Sequence, residues 1–315
     1  MSLLDVKNLN LGFNLSQGFK QVLYDVSFSL DKGKMLSIVG ESGCGKTLTA
    51  MSILNLLPKN AEIKEGNIFF KEYNLLEKKE FQLQKIRGKN IALIPQDPMT
   101  SLNPLYTIEN QIVEIIKTHR PNEKNIKEIA LKSLKDVKIP NPEERLKAYP
   151  HELSGGMKQR IIIAMALACN ADLIIADEPT TALDVTVQAQ IMKLLKEIKE
   201  TKNTAIILIT HDLGLVFENA DYVAVMYAGR IVEYSSKKEL FENPKHPYTK
   251  ALFNSIPDII GEKLIPIEGQ PPSINDSILG CPFNPRCKYV MDICTQKNPE
   301  LLKNNESMVS CWLNS

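Results

Sequence analysis

The sequence has no apolar run long enough to cross a bilayer. Its longest, Ile161 to Cys169, falls well short of the roughly 20 residues that a helical span requires. Met1–Asn10 lacks the basic-then-apolar pattern of a secretory signal. Charge of one sign is also lacking: 38 basic and 37 acidic residues leave a net charge of +1. That balance gives no footprint for nucleic acid or an anionic membrane surface. Internal repeats and low-complexity tracts are absent. The expectation is a soluble cytoplasmic protein that meets a membrane only through a partner. With 315 residues, 43% of them hydrophobic, the chain can build one large α/β core and a smaller unit. Cysteine is sparse but uneven. Cys44 and Cys169 lie in the body of the chain, whereas Cys281, Cys287, Cys294 and Cys311 fall in the last 35 residues. In a reducing compartment such clustering favours metal over disulfides.

What the chain does have is Gly40-Glu41-Ser42-Gly43-Cys44-Gly45-Lys46-Thr47, followed by Leu48. This fits GxxxxGK[ST], the loop whose backbone N–H groups wrap a triphosphate. Glycine at Gly40 and Gly45 keeps side chains out of the way. Lys46 can reach the β- and γ-phosphates, and the Thr47 hydroxyl can ligate Mg²⁺. The surroundings agree. Met35–Val39 reads as a buried strand, and Leu48 to Leu57 reads as a helix that stops at Pro58. A helix beginning there adds its dipole to the attraction for phosphate.

Further along, Leu3–Leu9 and Val26–Leu30 alternate like antiparallel edge strands, and Asn67–Phe70 and Ile91–Pro95 read as strands. Gln96 to Pro104 is a polar, proline-marked loop, and helical periodicity runs from Thr107 to Lys147. Ser154-Gly155-Gly156 precedes a strongly apolar helix reaching about Cys169, with Ser154 as its N-cap. Open backbone N–H groups there make a second anion site, or else simply a glycine-capped structural helix. The residues alone do not choose. Leu173–Ala176 is an apolar strand ending in Asp177 and Glu178. Asp177 can hold Mg²⁺ opposite Thr47, and Glu178 can polarise a water for attack on the γ-phosphate. Val185–Lys199 is an amphipathic helix, Ala205–Ile209 a buried strand, and Tyr222–Tyr227 and Arg230–Tyr234 a hairpin. Gln96 and His211 each follow a strand, on the side of an open α/β sheet where ligands bind.

The succession of Gly40–Thr47, Gln96, Leu153–Gln159, Asp177-Glu178, Ala182-Leu183-Asp184 and His211 resembles the ATP-binding subunit of an ABC transporter. The resemblance covers roughly residues 1–255. It implies a P-loop NTPase fold with an antiparallel β edge and a helical subdomain at about 97–165. It also implies MgATP as ligand, with Glu178, His211 and Gln96 catalytic and Thr47, Gln96 and Asp177 at the Mg²⁺. Phe13 matches the family's adenine-stacking aromatic, with Phe19 as fallback. Two such domains are expected to pair head to tail, so that Ser154, Gly155, Gly156, Gln159 and Asp184 of one face the nucleotide of the other.

Finer stretches resemble the oligopeptide/dipeptide and nickel import branch: Gln96–Pro104, Tyr149–Met157, His246-Pro247-Tyr248-Thr249 and Gly280–Cys287. That resemblance implies a first domain over 1–256 and an extension over 257–315 whose four cysteines hold a 4Fe–4S cluster. Spacing alone leaves zinc and iron–sulfur equal. The implied partners are a second, related ATPase subunit, two membrane permeases and, indirectly, an extracytoplasmic binding protein, with no nucleic acid. The implied place is the cytoplasmic face of the membrane. Peptide is the expected cargo, with nickel or another small solute as the alternative. Other phosphate-loop machines fit less well. A GTPase needs Asn-Lys-x-Asp, and no Asn-Lys dipeptide occurs. A repair-type ABC ATPase would insert a long coiled coil between Lys46 and Ser154.

Overall fold

The computed structural model describes residues 2–181, 183–255, 266–273, 276, 278–304 and 307–314. The expected boundary near residue 256 and Ala182 lie outside them. The chain forms two compact units. The first comprises Met1–Asp31, Met35–Leu76 and Thr210–Ser315, and the second Lys32–Lys34 and Glu77–Ile209.

The first unit begins with the long strands β1 (Leu4–Leu15) and β2 (Gly18–Leu30). They pair antiparallel, Leu4 opposite Leu30 and Asn14 opposite Phe19. Then come β3 (Met35–Val39), α1 (Lys46–Leu54), β4 (Ala61–Phe70) and β5 (Tyr73–Asn74). One sheet has the order β2-β1-β4-β5. The alternation that marks β1 buries Leu4, Val6, Leu9 and Leu11. Helix α1 ends at Leu54, three residues before the expected Leu57, because Asn55 turns left-handed and its N–H bonds back to the Met51 and Ser52 carbonyls ahead of Pro58.

The chain then builds the second unit: α2 (Glu80–Ile86), β6 (Ile91–Ile94), α3 (Pro98–Ser101), α4 (Ile108–His119), α5 (Ile126–Asp136), α6 (Pro142–Lys147), α7 (Gly155–Ala168), β7 (Leu173–Asp177), α8 (Val185–Lys202) and β8 (Ala205–Ile209). Strand β7 pairs in parallel with β6 and with β8. Leu173–Ala176 and Ala205–Ile209 are almost wholly buried, the expected state of parallel strands covered on both faces. The helical insertion splits into α4, α5 and α6, packed on one another, with α4 and α5 also packed on α7. The proline-marked loop contains the short α3, capped by Asp97, whose carboxylate accepts from the Met99 N–H at 2.7 Å.

On return to the first unit the chain adds α9 (Leu213–Asn219), β9 (Tyr222–Tyr227), β10 (Arg230–Ser236), α10 (Lys237–Glu242), α11 (Pro247–Asn254), β11 (Leu302–Asn304) and β12 (Ser307–Val309). Strand β9 runs parallel to β3 and antiparallel to β10, and the tail strand β12 pairs with β10. The hairpin turn at Ala228-Gly229 has φ of 46° and 77°, the mirror-image turn that suits twisted strands. Val39, Val225, Tyr227, Tyr248, Phe253 and Phe283 share one buried cluster in this unit. Phe283 therefore roots the C-terminal extension in the core of β3 and β9. Among the described residues no helix is long and apolar enough to cross a membrane.

Candidate functional site

The first unit holds the phosphate loop. It leaves β3 at Val39 and enters α1 at Lys46, the strand–loop–helix order read from the sequence. The glycines have a reason beyond leaving room for a ligand. Gly40 has φ of 151°, and a Cβ there would come within 2.2 Å of the Met226 carbonyl oxygen. Gly45 has φ of 104°, and a Cβ would meet the Leu23 side chain at 2.6 Å. The loop thus lies directly on β9 and β2 behind it. Lys46 is buried, its ammonium donating to the carbonyls of Gly40 at 2.8 Å and Glu41 at 3.0 Å. Cys44 is buried beneath the loop, and burial raises its thiol pKa, so it acts as packing and not as a nucleophile.

Beside the loop is a cavity of about 510 Å³ lined by Phe13, Phe19, Gly43, Gly45 and Leu48. Both candidate aromatics therefore reach it. The Phe19 ring carries the Lys64 ammonium 4.8 Å from its centroid. The same cavity is lined by Tyr24 and Arg230, stacked with the guanidinium 4.4 Å from the ring centroid. Sequence reading had no signal for these two, which meet only because β2 lies beside β10. His211, also in this unit, is exposed.

The second unit holds the carboxylates. Asp177 ends β7, 3% exposed. Glu178 follows in a left-handed conformation, φ 45°, its N–H donating to the Ile209 carbonyl at 2.9 Å. Such a backbone state is costly for a side chain with a Cβ and is retained where the surroundings impose it, often at functional sites. Oε2 of Glu178 accepts from Gln96 Nε2 at 3.1 Å and from the Thr181 hydroxyl at 2.9 Å. Gln96 and Glu178, distant in sequence, are thus brought together.

Ser154 is the N-cap of α7 as expected, its hydroxyl accepting from the Met157 N–H at 3.3 Å. Asp184 caps α8 in the same way, accepting from the Val187 N–H at 2.9 Å. A Cβ on Gly156 would meet Val187 at 2.8 Å, so the first turns of α7 and α8 are in contact. Ser154 and Asp184 are exposed there. Gln159 is not: it is 0% exposed, and neither of its amide atoms has a partner among the described residues. It does not share the exposed surface of Ser154 and Asp184.

In the extension, Cys281, Cys287, Cys294 and Cys311 line one cavity with His246 and Phe283. Burial, with a smaller push from the three neighbouring thiols, raises the Cys281 thiol to about 11. Four soft donors around one point are a suitable set for a thiophilic metal centre. Yet the cavity measures about 10 Å³, room for about one water. Among the described residues, no group of three or more His, Cys, Asp or Glu is arranged to hold a metal ion. The geometry of the described residues therefore does not support the iron–sulfur expectation, although the four thiols line one cavity.

The His-Pro-Tyr stretch has a role that its sequence did not disclose. His246 caps α11, Nδ1 accepting from the Tyr248 N–H at 3.0 Å. The buried Glu233 carboxylate accepts from the N–H groups of Lys245 and His246, both at 2.9 Å. Tyr248, fully buried, accepts from the Glu41 N–H at 3.0 Å, supporting the phosphate loop from below.

Comparison with known proteins finds a family described as "ABC transporter" matching residues 23–181. A second, "Oligopeptide/dipeptide transporter, C-terminal region", matches residues 232–294. The chain is 48% identical to the dipeptide transport ATP-binding protein DppD of Bacillus subtilis, over 98% of this chain and 94% of that protein. It is 47% identical to the oligopeptide transport ATP-binding protein OppD of Haemophilus influenzae, over 99% and 98%. Among solved structures, the dimeric ATP-binding cassette MJ0796 in a post-hydrolysis state with ADP and Pi aligns with a TM-score of 0.66 at 26% identity. It covers 74% of this chain and 98% of its own. The cbiO1 protein of Clostridium perfringens, part of the ABC transporter complex cbiONQ, aligns with the same TM-score at 28% identity, over 77% and 91%.

Proposed function

This chain belongs to the ATP-hydrolysing subunits of ABC transporters, and from that premise we propose that it powers the import of di- and oligopeptides across a membrane. The observation that carries the cargo is the C-terminal region matched at residues 232–294, which continues directly from the ATPase core at β10. The partners of such a subunit are membrane permeases. The segment after Gln96 suits that contact, because Met99, Leu105 and Tyr106 are 57%, 79% and 53% exposed, and large exposed apolar side chains mark interaction surfaces. A second, related ATPase subunit, an extracytoplasmic binding protein and a peripheral position on the inner face of the membrane complete the proposal.

The roles follow from the residues. Backbone N–H groups of Gly43–Thr47 hold the phosphates, and the α1 dipole adds to them. Lys46 exchanges its bonds to the Gly40 and Glu41 carbonyls for phosphate oxygens. Mg²⁺, held by Thr47, Asp177 and Gln96, would neutralise charge on the phosphates. Glu178 orients and deprotonates the attacking water, with Gln96 fixing its carboxylate. His211 acts beside the γ-phosphate. Phe13 stacks on the adenine. Ser154, Gly155 and Asp184 act in trans on the partner's nucleotide, which gives their exposed helix ends a purpose, and Gln159 supports them from within. The thiols of Cys281, Cys287, Cys294 and Cys311 would hold a 4Fe–4S cluster as a staple for an extension with little core of its own.

Reconstitution with the two permeases and the binding protein tests the cargo. Di- or oligopeptide should stimulate phosphate release and enter the vesicles, and Lys46→Ala should stop both. Stimulation by nickel and not by peptide would reverse the assignment. For the staple, protein purified without oxygen should carry iron and sulfide in equal amounts, and Cys287→Ser should lose both while ATP binding persists. A preparation holding zinc, or no metal, would reject the cluster.

A further inference from the structure

We propose that the C-terminal extension forms part of the nucleotide site of its own chain, with Arg286 as a positioning residue that sets ATP affinity by holding and neutralising Glu41. The proposal rests on Gly40–Thr47 being the ATP loop. It adds a residue that lies 245 positions from Glu41 and outside every motif of that loop.

The contact is a two-pronged ion pair. Nη1 of Arg286 donates to Glu41 Oε2 at 2.6 Å, and Nη2 donates to Oε1 at 2.9 Å. The Arg286 side chain is 5% exposed. Its fork is fixed from other directions too. Nε donates to the Glu268 carbonyl at 2.9 Å, and Nη1 also reaches the Tyr227 hydroxyl at 3.3 Å. A guanidinium with its donors occupied in this way is a rigid reference point, and a lysine could not reproduce it.

Glu41 is correspondingly held at every polar group. Its N–H donates to Tyr248, its carbonyl accepts from Lys46, and its carboxylate is bound by Arg286. Two of these anchors keep the loop in shape, but the third does something more. A carboxylate in a loop that receives a polyanion repels it at short range. Arg286 is always charged and cancels that field without entering the site.

A second observation points the same way. Pro272, Ser273, Asp276 and Pro282 of the extension line the 510 Å³ cavity that holds Phe13 and Leu48. The extension therefore borders the site at the phosphate loop through Arg286 and at the aromatic pocket through Pro272, Ser273, Asp276 and Pro282. Phe283, packed against Tyr227 and Tyr248 with ring centroids 5.2 and 5.4 Å away, fixes the segment between these two contacts.

The test is a cycle of Arg286→Ala, Glu41→Gln and the double variant in the full chain, with ATP affinity measured by calorimetry and turnover with the complete transporter. Arg286→Ala should weaken ATP binding about tenfold or more, the scale of a lost charge-assisted pair beside a charged ligand. The loss should fall on KM, with kcat at saturating ATP nearly unchanged. Adding Glu41→Gln should recover most of the affinity, because the unpaired charge has gone; a strut that merely secured the extension would not be rescued in this way. Arg286→Lys should be intermediate, and it carries the test if the alanine variant fails to fold. Wild-type affinity in Arg286→Ala and Arg286→Lys, or no recovery in the double variant, overturns the proposal. Lys46→Ala is the separate control: ATP binding that survived it would refute the loop assignment itself, whatever Arg286 does.

Discussion

Replacing Glu178 by glutamine should separate stability from catalysis. Both described hydrogen bonds to its carboxylate, from Gln96 at 3.1 Å and Thr181 at 2.9 Å, fall on Oε2. An amide oxygen in that place retains both, and the amide nitrogen takes the position of Oε1. The left-handed backbone at φ 45° is as strained for glutamine as for glutamate. The folded state should therefore change by less than about 0.5 kcal/mol. The barrier to hydrolysis should change far more. Loss of a positioned general base costs about 10²–10⁴ in rate, which is about 3–5 kcal/mol of barrier. Lys46 and Thr47 are untouched, so ATP should still bind, and the protein should accumulate as an ATP-bound pair with its partner subunit. Phosphate release by the assembled transporter gives the rate, and thermal unfolding gives the stability. Turnover within about threefold of the native protein would refute the base assignment. Loss of ATP binding would show instead that the carboxylate supports the site structurally.

Ser154→Arg should abolish hydrolysis in the assembled transporter while leaving ATP affinity of the lone subunit unchanged, at a cost of about 1 kcal/mol for the lost cap on α7. Collapse of ATP binding by the lone subunit would remove the trans role. Burial holds His246 near pKa 3, below the unfolded value of about 6.5. The folded state thus favours the neutral ring. The stability it contributes is complete above about pH 6.5 and is lost as pH falls toward about 3, at up to about 1.4 kcal/mol per pH unit. Asparagine at 246 keeps a cap acceptor for the Tyr248 N–H and does not titrate. Urea midpoints of His246→Asn between about pH 6.5 and 4.5 should fall less steeply than those of the native protein; parallel slopes would assign the acid sensitivity elsewhere.

Features that depend on neighbours along the chain are legible without the fold. Met35–Val39, Gly40–Thr47 and the helix after it were legible because strand, loop and helix are contiguous and the loop's backbone does the binding. Asp177 and Glu178 were legible as the end of an apolar strand, and Ser154 as a cap three residues before the N–H it accepts. Short elements with little local signal, such as α2, α9, α10 and the tail strands, were not, because short helices and strands owe their state to packing and not to periodicity.

Tertiary structure alone decided what joins distant segments. Tyr248 reaches Glu41 across 207 positions and Arg286 across 245, and neither pairing leaves a periodic trace in the sequence. The same holds for Tyr24 beside Arg230, and for four cysteines that the sequence spaced apart and the fold gathered around one cavity. It holds also for Gln159, which the order of motifs placed at a partner's nucleotide and the packing of α7 buried. Local chemistry fixes which groups the chain can offer. The topology of β3, β9 and β10 decides which of them share a loop's surroundings, because only a packed core holds residues 200 positions apart within hydrogen-bonding distance.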